Sequence, residues 1–380
     1  MKKIYRCWAE IDLDALRGNL AWIRHRAGKE TKVITVVKAD AYGHGLRQIA
    51  ALLMQSGTDV FGVANLAEAT AIRSVGKGWP ILMLGACLPE EVEMAVRDDV
   101  MPTISSLAEA KLFSSAAARF GKTVNVHMKV DTGMGRLGVA TSEAASLIDS
   151  IAGLAGLKLS GLYTHYASAE DDARFSRKQC ERFQQVIGPI LKQHAVEYVH
   201  ANNSAAVLFE PCDLFNTVRP GLLVYGVIPS GKRRLPSGLL EHIQPALRWK
   251  CRVSFIKEVP EGTALGYGQG FITRKKSTRV ATITAGYGDG YLRSGSNRAK
   301  VLVQGKRCPI LGRISMDQML VDVSSIGNVG IGDEVTLIGA QGNDVIGVSE
   351  VAAWCGTIPW EVLTNITYRV PRVYQGQQAA

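Results

Sequence analysis

Through the first two thirds of the chain, short apolar, β-branched runs alternate with segments whose apolar residues recur every three or four positions. The runs are Val33–Val37, Val60–Val63, Ile81–Leu84, Thr103–Ile104, Val124–Val130, Leu159–Thr164, Val196–Val199 and Val218–Tyr225. Helical spacing follows at Leu46–Gln55, Leu66–Ser74, Pro89–Arg97, Leu107–Phe120, Ser142–Ala152, Phe175–Gln193 and Ser204–Phe209, and an extra helix is expected at Leu13–Arg24. Strand followed by helix, repeated, predicts a parallel sheet, and eight such units predict a closed (β/α)8 TIM barrel. The competing open, doubly wound sheet usually carries GxGxxG after its first strand, and no such motif occurs.

Beyond Pro245 the texture changes. Short alternating runs at Arg248–Phe255, Ser277–Thr284, Ala299–Val303, Met319–Val323 and Glu334–Ile338 are separated by glycine turns, and helical spacing returns only at Val348–Ala353. This predicts a mostly β second domain. The expected division is 1–240 for the barrel and 241–380 for the β domain, with a Gly/Pro/basic stretch from Gly231 to Pro245 between them. The residues up to about Glu10 are expected to pack with the second domain.

Composition narrows the class. Of 380 residues, 47% are hydrophobic and 21% charged, enough apolar side chain to offset chain entropy in a folded protein. No apolar stretch approaches the ~20 residues that span a bilayer. Met1-Lys2-Lys3 could open a secretory leader, but Glu10, Asp12 and Asp14 stand where its apolar segment belongs. The seven cysteines, Cys7, Cys87, Cys180, Cys212, Cys251, Cys308 and Cys355, are widely spaced with no CxxC pair, which predicts reduced thiols in the cytoplasm and no metal site. The net charge of +10 would suit an anionic partner. However, the basic runs Lys232-Arg233-Arg234 and Arg274-Lys275-Lys276 have no interleaved aromatics, so the expectation is a solvated surface and no nucleic acid or membrane partner.

In a barrel, the chemistry stands at the C-terminal ends of the strands. Those ends deliver Lys38 and Tyr42, then Lys129 and Arg136, His165, the run His200, Asn202, Asn203 and Ser204, and finally Arg219 and Gly221. Taken alone, Lys38 reads as a lysine that snorkels from the rim. Placed at the end of an apolar strand, it is expected to be partly desolvated, which makes an amine nucleophilic toward a carbonyl. Ser204 at a helix start and Gly221, on the last two strand ends, form a candidate phosphate cup. A lysine beside such a cup suggests pyridoxal 5'-phosphate (PLP) held as a Schiff base.

Seven segments then occur in one order: VKADAYGHG, VDTGMGRLG, HANNSAA, VRPGLLVYG, GYGDGY, GRISMDQ and YRVPR. Together they resemble the bacterial alanine racemase family over essentially the whole chain. The resemblance implies a homodimer with shared active sites that interconverts L- and D-alanine, supplying D-alanine for peptidoglycan. It implies that Lys38 carries PLP and acts as one base, and that Tyr287, from the neighbouring subunit, is the other. His165 and Arg219 would support the Tyr287 phenol, with Arg219 facing the pyridine nitrogen. Arg136 and the Met316 backbone would bind the substrate carboxylate, and a carbamylated Lys129 would orient Arg136. Tyr42, Ser204, Gly221, Leu222 and Tyr368 would cradle the phosphate.

Alternatives remain at this point. Tyr287 alone reads as a turn tyrosine, and His44, His200 and Asn202 as satisfied structural side chains. A serine or broad-specificity racemase of the same fold is the nearest rival, and a bulky Tyr368 beside the substrate favours a methyl side chain. A PLP carrier without turnover would lack the β domain, and a barrel hydrolase would need facing acids at the strand ends.

Overall fold

The computed structural model describes residues 4–209, 215–229, 231–235 and 238–376. Cys212, the Met1-Lys2-Lys3 opening and part of the linking stretch, residues 236 and 237, lie outside the described residues.

The first strand, β1 (Cys7–Asp12), runs into a helix at Leu13–Ala27, whose first turn is capped by Asp12, accepting from the Ala15 N–H at 2.9 Å. Eight parallel strands follow: β2 (Lys32–Val36), β3 (Val60–Val63), β4 (Ile81–Met83), β5 (Val100–Ile104), β6 (Val124–Asp131), β7 (Leu157–Tyr163), β8 (Tyr198–His200) and β9 (Thr217–Val218). They pair in sequence, and β9 returns to β2 through Thr217 opposite Lys32, so the sheet closes into a barrel. Their residues are buried on both faces over most of their length, which is why they read as unbroken apolar runs.

One expected strand is corrected. Val218–Tyr225 is not a strand; only Thr217–Val218 pairs. Pro220 has no N–H to give a ladder, and Gly221 to Tyr225 instead fold into successive turns, with the Val224 N–H on the Gly221 carbonyl at 2.9 Å. Elements that were not foreseen include β1 and a helix at Pro359–Thr364.

The second sheet contains β10 (Leu247–Pro260), β11 (Ser277–Ile283), β12 (Lys300–Val303), β13 (Lys306–Leu311), β14 (Met319–Asp322), β15 (Glu334–Gln341), β16 (Asp344–Ile346) and β17 (Arg372–Gln375). Its order is β16-β15-β12-β13-β14-β11-β10-β1-β17, with a further β10–β15 pairing. β1 lies between β10 and β17, so the chain begins in this sheet before it enters the barrel. β17 returns to the barrel's edge: Arg372 donates to the Gly43 carbonyl at 2.9 Å and Tyr374 to the His44 carbonyl at 3.1 Å. No described helix is long and apolar enough to cross a membrane.

Candidate active site

The C-terminal ends of the barrel strands open into a cavity of about 860 Å³. Lys38, Tyr42, Lys129, Arg136, His165, Ser204, Arg219, Gly221 and Leu222 all line it. These nine are brought together from five strand ends. The other three expected residues are not: Tyr287, Met316 and Tyr368 lie on the second sheet's loops and are 41%, 51% and 96% exposed. Tyr368, expected in the phosphate cradle, does not line this chain's cavity. From the same chain, the helix at Pro359–Thr364 instead contributes Trp360 and Thr364 to the cavity wall, beside Ile358.

The Lys38 amine is held below the usual lysine range, first by burial, then by the cations Arg136 and Arg219, against the opposing charge of Glu68. Lys129 is pushed down to about 8 by burial and the same two arginines. Arg219 is buried and pushed down to about 10 by desolvation, yet it stays a cation at neutral pH.

The partners of Arg219 are neutral. It donates to the carbonyls of Thr164 at 2.8 Å and Ala201 at 3.1 Å, to His165 Nδ1 at 3.1 Å and to His200 Nδ1 at 2.5 Å. A guanidinium can only donate, so both Nδ1 atoms must accept. Burial holds both imidazoles far below the usual histidine range, so they are neutral and their protons sit on Nε2. His165 thus presents an Nε2–H, while His200 Nε2 donates onward to His127 Nδ1 at 3.0 Å. His200 and His127 form an inner relay behind Arg219 that sequence reasoning did not assign. The available signal was their position near strand ends, inside VHMKV and YVHAN.

The phosphate cup takes its shape from two loops. The Ser204 hydroxyl accepts from the Gly221 N–H at 2.9 Å and the Leu223 N–H at 3.2 Å, tying the last two barrel loops together. A Cβ on Gly221 would stand 2.4 Å from the Tyr42 hydroxyl, so only glycine leaves that cradle open. Tyr42 stacks on Tyr225 at 4.9 Å, and Tyr225 anchors to the Val36 carbonyl at 3.0 Å. A desolvated amine, a small cradle of hydroxyl and amide donors, and a buried arginine fit PLP in both size and charge.

Residues 11–229 match the family described as alanine racemase, N-terminal domain, and residues 246–374 match alanine racemase, C-terminal domain. The chain belongs to the alanine racemase family. The alanine racemase of Halothermothrix orenii is 40% identical, covering 99% of this chain and 99% of that protein. That of Carboxydothermus hydrogenoformans is 42% identical over 97% of this chain and 99% of that one. Among solved structures, alanine racemase of Clostridium difficile superposes with a TM-score of 0.91 at 33% identity, covering 98% of this chain and 97% of that one. Alanine racemase from Bartonella henselae, solved with covalently bound pyridoxal phosphate, gives a TM-score of 0.87 at 30% identity over 98% of this chain and 100% of that one. Alanine racemases interconvert L- and D-alanine and depend on PLP, and this chain is one of those enzymes.

On the second sheet, the three exposed residues form one face. The Tyr287 N–H donates to the Ser315 carbonyl at 3.0 Å and the Gly288 N–H to the Met316 carbonyl at 2.8 Å. The Thr367 N–H donates to the Asp289 carbonyl at 3.1 Å, which brings the Tyr368 loop alongside. A Cβ on Gly286 would meet the Ser315 and Met316 carbonyls at 2.3 Å, so glycine is what lets these two loops touch.

Proposed function

We propose that this racemase works as a homodimer in which each β domain covers the partner's barrel mouth, so that Lys38 and Tyr287 of the partner subunit are the two bases. The observation that carries this reading is the division of the site. Nine expected residues line one cavity, while Tyr287, Met316 and Tyr368 form a separate exposed face.

Lys38 would hold PLP, Tyr42, Ser204, Gly221 and Leu222 its phosphate, and Arg219 would face its ring nitrogen. When bound, PLP takes up the electron pair left on the substrate Cα. Racemisation further requires that a proton leave one face of Cα and another arrive on the opposite face. Lys38 Nζ, desolvated and near two cations, gives up its own proton more readily than an ordinary lysine and so can accept one from Cα. A phenol near pKa 10 is a poor base at neutral pH. The His165 Nε2–H, with the Arg219 cation behind it, is a donor suited to stabilise the Tyr287 phenolate. Arg219 does not release its proton at neutral pH, so it gives none to the ring nitrogen, which limits PLP as an electron sink and restrains side reactions.

Arg136 would pair with the substrate carboxylate. Lys129, with an amine that deprotonates near pH 8, can react with carbon dioxide, and the resulting anion would orient Arg136. Selection for a methyl side chain then falls to the covering face, where Tyr368 lies. The product would feed peptidoglycan synthesis in the cytoplasm.

Subunit exchange between Lys38→Ala and Tyr287→Phe tests the arrangement. Each mixed dimer has one site with both lesions and one with neither. Activity should return to roughly a quarter of wild type for random pairing. Verified exchange with no recovery places both bases on one chain.

A further inference from the structure

Behind Lys38 the backbone does something unusual. Ala39, Asp40, Ala41 and Tyr42 all adopt left-handed conformations, with φ from 52 to 55° and ψ from 41 to 56°. None is glycine, and each such residue is strained by about 1–2 kcal/mol. Strain of that size persists only where surrounding contacts fix the backbone. At the far end of the turn the holders are clear. The Leu46 N–H donates to Asp40 Oδ1 at 2.7 Å, Arg372 binds the Gly43 carbonyl, and Tyr374 binds the His44 carbonyl.

At the Lys38 end the holder is Glu68. One carboxylate oxygen accepts from the Ala39 N–H at 2.7 Å and the other from the Ala64 N–H at 2.7 Å. Glu68 stands in the first turn of the helix Leu66–Arg73, where Asn65 accepts from its N–H at 3.0 Å. Its carboxylate therefore ties the residue after Lys38 to the loop after the next barrel strand. Ala39 and Ala64 both belong to the cavity wall.

Glu68 also has a second effect on Lys38. The groups acting on the amine from the other strands and loops are Arg136, Arg219, Lys129 and neutral His165. Glu68 supplies the opposing negative charge. We propose that Glu68 is a positioning residue of the racemase: its two oxygens fix the strained turn behind Lys38, and its charge offsets Arg136 and Arg219 at the Lys38 amine. This rests on Lys38 being the cofactor lysine and a base.

The test compares holoenzymes carrying Glu68→Gln and Glu68→Asp with wild type. Gln keeps the shape but loses the charge, and it turns an NH2 toward one of the two backbone donors. Asp keeps the charge but is too short to reach both donors. Borohydride reduction and peptide mapping first locate the cofactor adduct. Cofactor release to hydroxylamine, followed by absorbance, then reads the hold on the turn, and the pH profile of kcat, taken in both directions, reads the amine.

With Glu68→Gln, release should quicken by roughly 10-fold, the loss of about one charge-assisted hydrogen bond. The kcat limb set by Lys38 should move down by about half a pH unit to one unit, because the cations are then unopposed. It is the acid limb where Lys38 must accept a proton and the alkaline limb where it must supply one. With Glu68→Asp, release should quicken while the limbs stay. Unchanged release and limbs in Glu68→Gln, or a lowered unfolding temperature with fixed limbs, would overturn the proposal and leave Glu68 an ordinary helix-end cap. An adduct on another lysine would instead overturn the Lys38 assignment itself.

Discussion

The barrel mouth and the Tyr287 face of the second sheet carry complementary chemistry and are built by opposite means. The mouth is a buried pocket of cations and neutral histidines with few compensating carboxylates. Lys129 and Arg219 are each only 3% exposed there. Burial is what makes its amines reactive, since removing water disfavours their charged forms. The Tyr287 face has no such enclosure. Its order comes from backbone bonds between the loops at Gly286–Gly290, Ile314–Asp317 and Ile366–Val370. The comparison teaches that, in the homodimer we propose, the fold would tune one half of the chemistry inside a chain and present the other half, already shaped, for a second chain to complete.

The largest effect that could break this comparison is at Lys38. Lys38→Ala should remove covalent cofactor and lower racemisation by ~10³-fold or more, while far-ultraviolet circular dichroism stays the same. The fold should survive because Lys38 lines the cavity and is no part of the hydrophobic core. A retained lysine–cofactor adduct after reduction would place the chemistry on another lysine, and peptide mapping would show whether it is Lys129 of the same cavity.

How far the sequence disclosed each half follows from the same physics. The barrel was legible because its strands are buried on both faces and so read as unbroken Val/Ile/Leu runs. β1 was not, since Glu10 and Asp12 interrupt it, and Glu10 reaches outward to Lys250 at 3.1 Å. The eighth barrel strand was overread because Leu222–Tyr225 is apolar for burial in turns, not in a ladder. The left-handed turn at Ala39–Tyr42 leaves no trace in composition, since alanine and tyrosine ordinarily avoid that region. His127 and His200 look like core histidines on strands, and only the bond from Arg219 shows that they support the site. Tyr287 and Met316 were named by resemblance alone, because nothing around a glycine-flanked tyrosine or a loop methionine in the sequence marks it for a role.

A second, smaller effect sharpens the comparison through acid. Burial pushes His44 down to about 4 and His127 to about 3, and holds His165 and His200 well below their usual range. All four belong to the barrel. In the unfolded chain each titrates near 6.5. Above that pH neither state binds the proton, so their contribution is complete. As pH falls below 6.5 the unfolded state gains protons that the folded state refuses. Stability then drops by about 1.4 kcal/mol per pH unit for each histidine, until the folded group titrates as well. Unfolding free energies from urea titrations at pH 7.5 and 5.5 should differ by several kcal/mol in total. A flat result would mean that some of these rings are charged in the folded barrel, and a charged His165 or His200 could not accept from Arg219.

The smallest effect is on the exposed face, where activity and stability should separate. Arg369 reaches Asp317 at 2.7 Å and Asp289 at 3.5 Å, so it links the Met316 loop to the turn that carries Tyr287. The pair with Asp317 is exposed and screened by water, and the contact to the buried Asp289 carboxylate is long at 3.5 Å, so both are weak as sources of stability. Arg369→Ala should therefore leave the unfolding midpoint within error of wild type. If each β domain covers the partner's barrel mouth as proposed, its effect should fall on the reaction, because a slack turn would place the Tyr287 phenol less well over that cavity. The expected change is a few-fold loss in kcat with the cofactor fully bound, partly restored by Arg369→Lys, which keeps a donor for Asp317. The measurement pairs thermal unfolding with steady-state kinetics on the same preparations. Unaltered kinetics would show that the face does not cover a reacting site. A midpoint that falls in step with kcat would show that this face, like the barrel mouth, contributes mainly by holding the fold.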